Sequence, residues 1–139
     1  MNDCKRSVLL YAALLGVLTL LALTSHATSF ARLRLADLAQ QAGAVARLRW
    51  ISEESCWEHG EIWTDTRFQV LAVEKGTLPR FVTVRTPGGR VNGIASRVEG
   101  APRFRPEEEI YLFLWSPGGE PYRVLGWAQG TFRIRRDPS

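Results

Sequence analysis

Cysteine, histidine and lysine are nearly missing from this chain: in 139 residues there are two of each. Cys4 and His26 fall in an N-terminal stretch read below as a removable signal, which leaves Cys56 and His59. A single remaining cysteine excludes an internal disulfide, so the fold must stand on an apolar core. One cysteine and one histidine are also too few for a zinc-type centre, which needs several such ligands converging, and no cofactor is expected. With lysine almost absent, the basic charge is arginine, a residue that forks onto carboxylates and phosphates.

The N-terminus reads as an export signal. Lys5 and Arg6 precede an apolar run from Ser7 to Leu23, and Ser25-His26-Ala27 places small residues before a cut, making Thr28 the first mature residue. The rival reading is an uncleaved anchor formed by residues 7–23. The expected plan is a signal peptide at 1–27, an N-terminal segment with a short helix at 28–43, and a β-barrel domain at 44–136. The mature chain would carry a net charge of +3, mildly basic and no proof of a polyanionic partner.

Two alternating runs organise the rest. Ile62, Phe68, Val70 and Ala72 alternate with Asp65, Arg67 and Gln69, the period of a half-buried strand. Gly76 and Pro79 break the pattern, Phe81 to Arg85 resumes it, and Pro87-Gly88-Gly89 stops it. Before this hairpin, apolar spacing predicts a helix from about Leu35 to Ala42, ended by Gly43 and lying on the sheet. A first strand follows over Ala44 to Ile51, with Ala44, Ala46, Leu48 and Trp50 inward.

The stretch Glu53 to Gly60 is expected to be a connecting tip. If His59-Gly60 formed a two-residue turn, Trp50 would face Gln69, a core position against a solvent one, so a bulge or an odd-length loop must intervene. Residues 88–106 read as a long loop. Ile110 to Trp115 is apolar on both parities and should be the most buried strand, with further strands at Tyr122 to Gly126 and Gly130 to Arg135. Trp50 and Trp115 are expected in the core, and Trp127 at one end of a barrel. The fold class is all-β, a five- to six-stranded OB-like barrel with one short helix; an open sandwich is the alternative. There is no internal repeat or low-complexity tract.

The segments Val73-Glu74-Lys75-Gly76, Pro87-Gly88-Gly89, Gly100-Ala101-Pro102-Arg103-Phe104, Glu107-Glu108-Glu109, Leu112-Phe113-Leu114, Tyr122-Arg123-Val124 and Gln129-Gly130-Thr131-Phe132 resemble those of a group of small exported bacterial proteins without an assigned activity. A weaker likeness is to the netrin-like barrel of tissue inhibitors of metalloproteinases. It implies an OB-type fold. Those inhibitors chelate the protease metal through an N-terminal cysteine, and here Thr28 would stand there, so inhibition by that route is not implied.

Candidate sites follow from residue type. Cys56 and His59 are three apart, the spacing of a metal pair or of a thiol with its base, but no third orienting group accompanies them. Glu107-Glu108-Glu109 and Glu53-Glu54 read as solvated turns rather than acid/base pairs. Arg47, Arg49, Arg67, Arg85, Arg133 and Arg135 share odd parity and would align on one outer face, able to meet an anionic surface or remain plainly solvated. Trp57 and Trp63 flank the tip, either as an interface anchor or as a cross-strand staple. The functional expectation is a non-enzymatic exported binding module, with an unknown protein or anionic cell-surface partner and no nucleic acid. The alternatives are a thiol-dependent role for Cys56, redox or disulfide-linked dimer, and an unrecognised hydrolase in the long loop, where Arg90, Asn92, Ser96 and Arg103 form no known catalytic set.

Overall fold

The structure is a computed structural model that describes residues 32–134. The expected signal and its cleavage point, the alternative anchor at residues 7–23 and Arg135 lie outside the described residues. Among the described residues no helix is long and apolar enough to cross a membrane.

The chain is mostly β. In order it forms α1 (Leu35–Gln41), β1 (Ala44–Glu58), β2 (Glu61–Lys75), β3 (Phe81–Pro87), β4 (Gly89–Val91), β5 (Ile94–Ser96), β6 (Glu109–Trp115), β7 (Arg123–Val124), a 3-10 turn (Trp127–Gly130) and β8 (Thr131–Arg133). Six strands form one antiparallel sheet in the order β3-β2-β1-β6-β7, with β8 also on β6, and β4-β5 is a separate small hairpin. The expected barrel is not closed by a ladder. The two end strands of the path meet only where Tyr122 N donates to Thr83 O and Arg85 N donates to Tyr122 O, each 2.9 Å.

The tip expected at Glu53 to Gly60 is instead strand. β1 and β2 each run fifteen residues and are joined by the two-residue turn His59-Gly60, with φ of 51° and 81°. Two positive φ values give the backbone twist that hairpin strands favour. The parity conflict is resolved in β1. Ser52 pairs with Arg67 but Trp50 pairs with Phe68, so Ile51 is an extra residue, a bulge that returns Trp50 to the core-facing row. Further register shifts at Leu71 and Glu74 lie on the β2 side.

Even-numbered residues of β2 and β3 point inward as the alternation predicts: Ile62, Phe68, Val82 and Val84 are buried. β6 is buried on both faces. Ile110, Leu112 and Leu114 join Leu48, Phe68 and Val84 in the main core, while Phe113 joins Val45, Leu38 and Ala42 in a second cluster under α1. Each fully buried large side chain contributes about 1.5–3 kcal/mol, so this two-sided strand holds helix and sheet together.

α1 ends one residue early. Ala42 turns extended (φ −64°, ψ 135°), so a left-handed glycine is not what stops the helix. Lys75, the one lysine among the described residues, donates from Nζ to the carbonyls of Ala39 (2.7 Å) and Gln40 (3.0 Å). These are carbonyls that the last turn of a helix leaves without partners. Residues 88–106 are not a bare loop either. Asn92-Gly93, with φ of 49° and 80°, turns β4 into β5, and Phe104 ties the segment to the core edge-on against Phe68 at 5.0 Å.

Candidate functional site: a tryptophan-walled cavity

A cavity of about 530 Å³ opens at the free end of the β1–β2 ribbon. Trp57 from β1, Trp63 from β2, Trp115 from the end of β6 and Trp127 from the 3-10 turn all border it, with Ile62, Pro87 and Ile94 between them. Four of the five tryptophans of the chain thus share one hollow. Three remain well exposed, Trp57 at 48 %, Trp115 at 41 % and Trp127 at 37 %. Exposed aromatics gathered in a recess mark a ligand or partner site more often than scattered surface residues do.

Trp57 opposes Ile62 and Trp63 opposes Cys56, so the two indoles stand on opposite faces of the ribbon and do not staple it as a cross-strand pair. The cavity takes lining from both faces.

Two arginines border the cavity in different electrostatic states. Arg85 is half-buried and clamped: Nε and Nη2 donate to Asp65 Oδ1 and Oδ2 at 2.6 and 2.7 Å, and Nη1 donates to Glu58. The hydrogen bonds it donates to Asp65 hold its pKa above the ordinary arginine value against the opposing effect of burial, and the charges of Asp65 and Glu58 add to the rise. Arg123 lies over the Trp63 ring at 4.8 Å and forms no salt bridge among the described residues. Burial lowers its pKa first and the Arg85 charge second. Arg123 therefore remains the cavity's unneutralised donor, while Arg85 is spent on its own carboxylates.

Of the residues singled out from sequence, Trp57, Trp63 and Arg85 come together here. Arg47, Arg49 and Arg67 do not; with Arg85 they share the sheet face turned away from the main core, as their parity implies, without forming one site. Arg49 pairs with Glu109 at 2.6 Å, Arg67 lies over the Phe81 ring at 5.0 Å, and Arg133 pairs with Glu108. Arg47 is half-buried with a solvent-shielded Nε. Neighbouring acids and a ring claim Arg49, Arg67 and Arg85 on that face, so it does not form one free cationic surface. By the same contacts Glu108 and Glu109 are structural partners, not a free acidic turn; Glu108 also accepts from Arg105 N at 2.7 Å.

Cys56 is half-buried on β1 opposite Trp63, whereas His59 is exposed in the turn. Among the described residues no three His, Cys, Asp or Glu side chains gather in a way that could hold a metal ion. Trp115, expected in the core, and Trp127, expected to close a barrel, are instead cavity walls. Arg123 was missed altogether. The available signal was position: Trp115 ends its apolar strand against the Ser116-Pro117-Gly118-Gly119 turn, and Trp127 follows the left-handed Gly126 (φ 66°), both places where a side chain leaves the core.

Fold and cavity together define a mostly β chain with an aromatic recess at one end of its sheet. No protein-family model matches it, and no curated protein or solved structure matches it either.

Proposed function

We propose that this protein is a non-enzymatic exported binding module whose tryptophan-walled cavity takes the apolar or aromatic body of a ligand, with Arg123 donating to an oxygen at its edge. The observation that carries this reading is the convergence of Trp57, Trp63, Trp115 and Trp127, from four separate elements, on one cavity. Folding ordinarily buries indoles; holding three exposed around one recess forgoes that stabilisation and is understandable if a ligand completes the burial. The basic-then-apolar stretch at residues 5–23 and the resemblance to small exported proteins support the export part of the reading. The bridge between the two end strands at Val84 and Tyr122 supports regarding the sheet as an open relative of the OB-like, netrin-like barrel.

The test uses naphthol, an aromatic probe without charge, titrated into the full-length chain and followed by quenching of tryptophan emission. Saturable binding is expected, weakened roughly tenfold or more in a Trp57→Ala/Trp127→Ala variant of unchanged melting temperature. No saturable binding, or equal binding by that variant, would overturn the reading.

A further inference from the structure

On the far side of the wall made by Thr86, Pro87, Ser96 and Pro102 lies a second hollow, about 580 Å³, which shares those four residues with the tryptophan cavity. Its character is different. Three arginines line it, Arg90 from β4, Arg97 just after β5 and Arg103 further along the same segment. All three are exposed, and none forms a salt bridge among the described residues, in contrast to Arg49, Arg85 and Arg133. The one carboxylate in the lining, Glu53, pairs with none of them among the described residues.

The other side of this hollow is a patch of hydroxyls. Thr64 Oγ1 donates to Gly88 O at 2.7 Å, which uses its only proton, so in the 2.8 Å contact with Ser55 the serine must be the donor. Both of these hydroxyl protons are thereby committed inward, and the charged donors left to the hollow are the guanidinium groups, beside the hydroxyls of Thr66, Thr86 and Ser96. Gly89 lets β4 lie against this pair: a Cβ there would fall 2.3 Å from Thr64 Oγ1 and 2.4 Å from Ser55 Oγ. The arginine-bearing hairpin is therefore held at a fixed place over a built surface.

Three unneutralised guanidinium groups around one concavity, with no lysine among them, suit a compact oxyanion accepting several charge-assisted hydrogen bonds. We propose that this hollow is a binding site for a phosphate-class oxyanion, and that, being separated from the tryptophan cavity by a single wall, it takes the anionic group of the same ligand whose apolar body the cavity receives. The first part stands on the arginine hollow alone; the second rests on the function proposed above. The ligand class is an aromatic or apolar molecule bearing a phosphate-like group. Of the four residues that a hydrolase reading would have used, Arg90, Ser96 and Arg103 line the hollow and Asn92 sits in the turn.

Three probes separate the two parts: inorganic phosphate, naphthol and naphthyl phosphate, each titrated calorimetrically into the full-length chain at constant ionic strength. Inorganic phosphate should bind the wild type and the Trp57→Ala/Trp127→Ala variant equally, and should bind an Arg90→Gln/Arg97→Gln/Arg103→Gln variant about tenfold or more weakly. Naphthyl phosphate should bind the wild type at least about tenfold tighter than either fragment, by the effective-concentration advantage of linked groups. In the triple variant it should fall to the affinity of naphthol. Arg34→Gln/Arg105→Gln, which removes two exposed arginines outside the hollow, serves as the charge control. Phosphate binding lost equally in that control, or unchanged in the triple variant, overturns the oxyanion site. Naphthyl phosphate binding no tighter than the better fragment overturns the joint ligand while leaving the phosphate result to stand. Failure of naphthol alone counts against the tryptophan cavity and not against the arginine hollow.

Discussion

Two glycines of the β4–β5 hairpin separate backbone strain from steric conflict. Gly93 has φ of 80° and open space where a Cβ would go, whereas Gly89 has φ of 141° and its Cβ would meet Thr64 Oγ1, Ser55 Oγ and Ser55 Cβ at 2.3, 2.4 and 3.1 Å. Gly93→Ala should therefore cost only the left-handed backbone penalty, about 1–2 kcal/mol. Gly89→Ala carries a comparable backbone penalty plus overpacking of about 1–3 kcal/mol, and it breaks the Ser55–Thr64–Gly88 hydrogen-bond chain at about 1 kcal/mol per bond. The totals are roughly 1–2 against 4–7 kcal/mol, which for a domain of this size means a melting temperature lower by about 5–10 °C against 20 °C or more. Thermal melts followed by far-ultraviolet circular dichroism measure both. In a Ser55→Ala/Thr64→Ala background the added cost of Gly89→Ala should shrink towards that of Gly93→Ala, since the opposing hydroxyls are gone. Equal melting temperatures for the two alanine variants in the wild-type background would refute this account of the hairpin's seat.

Thr66 is wholly buried and its hydroxyl has no hydrogen-bond partner among the described residues, so Thr66→Val should raise stability, by up to about 1 kcal/mol in a denaturant titration; a fall would show that the hydroxyl is partnered. Asp65→Asn leaves Arg85 with Glu58 alone and should destabilise by about 1–2 kcal/mol, discounted because both carboxylates are partly exposed. A double-mutant cycle with Arg85→Met should recover most of that loss, and full additivity would count against the clamp. Cys56→Ser should leave naphthol affinity and the unreduced intact mass unchanged; a doubled mass that appears only with the cysteine present would instead support the thiol-linked dimer.

Much of the sheet was legible in alternation, because strand period and burial are the same statement. The even rows of β2 and β3, the two-sided burial of β6 and the need for a bulge near Trp50 all follow from parity. The reach of the β1–β2 ribbon was not legible. Glu53, Glu54, Ser55 and Glu58 look like loop residues because that half of the ribbon is half-solvated, and its pairing is fixed by the His59-Gly60 turn rather than by apolar burial. The β4–β5 hairpin was missed although Asn92-Gly93 is a strong turn signal, since its strands are only three residues each. Barrel closure was over-read: the end strands share two hydrogen bonds and not a ladder. Trp57 and Trp63 were readable as surface aromatics, but only the packing of β6 and the 3-10 turn brings Trp115 and Trp127 to the same recess. That convergence is a property of the tertiary fold.

The extra residue at Ile51 sets the phase between the two halves of the long ribbon. Just below it, Leu48 and Trp50 share a face with Val70 and Phe68; above it, odd-numbered β1 side chains share a face with even-numbered β2 side chains, so that Ser55 meets Thr64 and Trp57 meets Ile62. One residue inserted into β2 opposite Ile51 would pair it off and erase the offset, turning the free end over, with Thr64, Thr66 and Ile62 outward and Trp63 inward. Both hollows would lose their walls, and β3, paired with this half of β2 from Trp63↔Pro87 to Gln69↔Phe81, would lose its register. The orientation of the cavity-bearing end is thus carried by a single unpaired position, and a change of one residue in length there would do more to both hollows than any substitution within them.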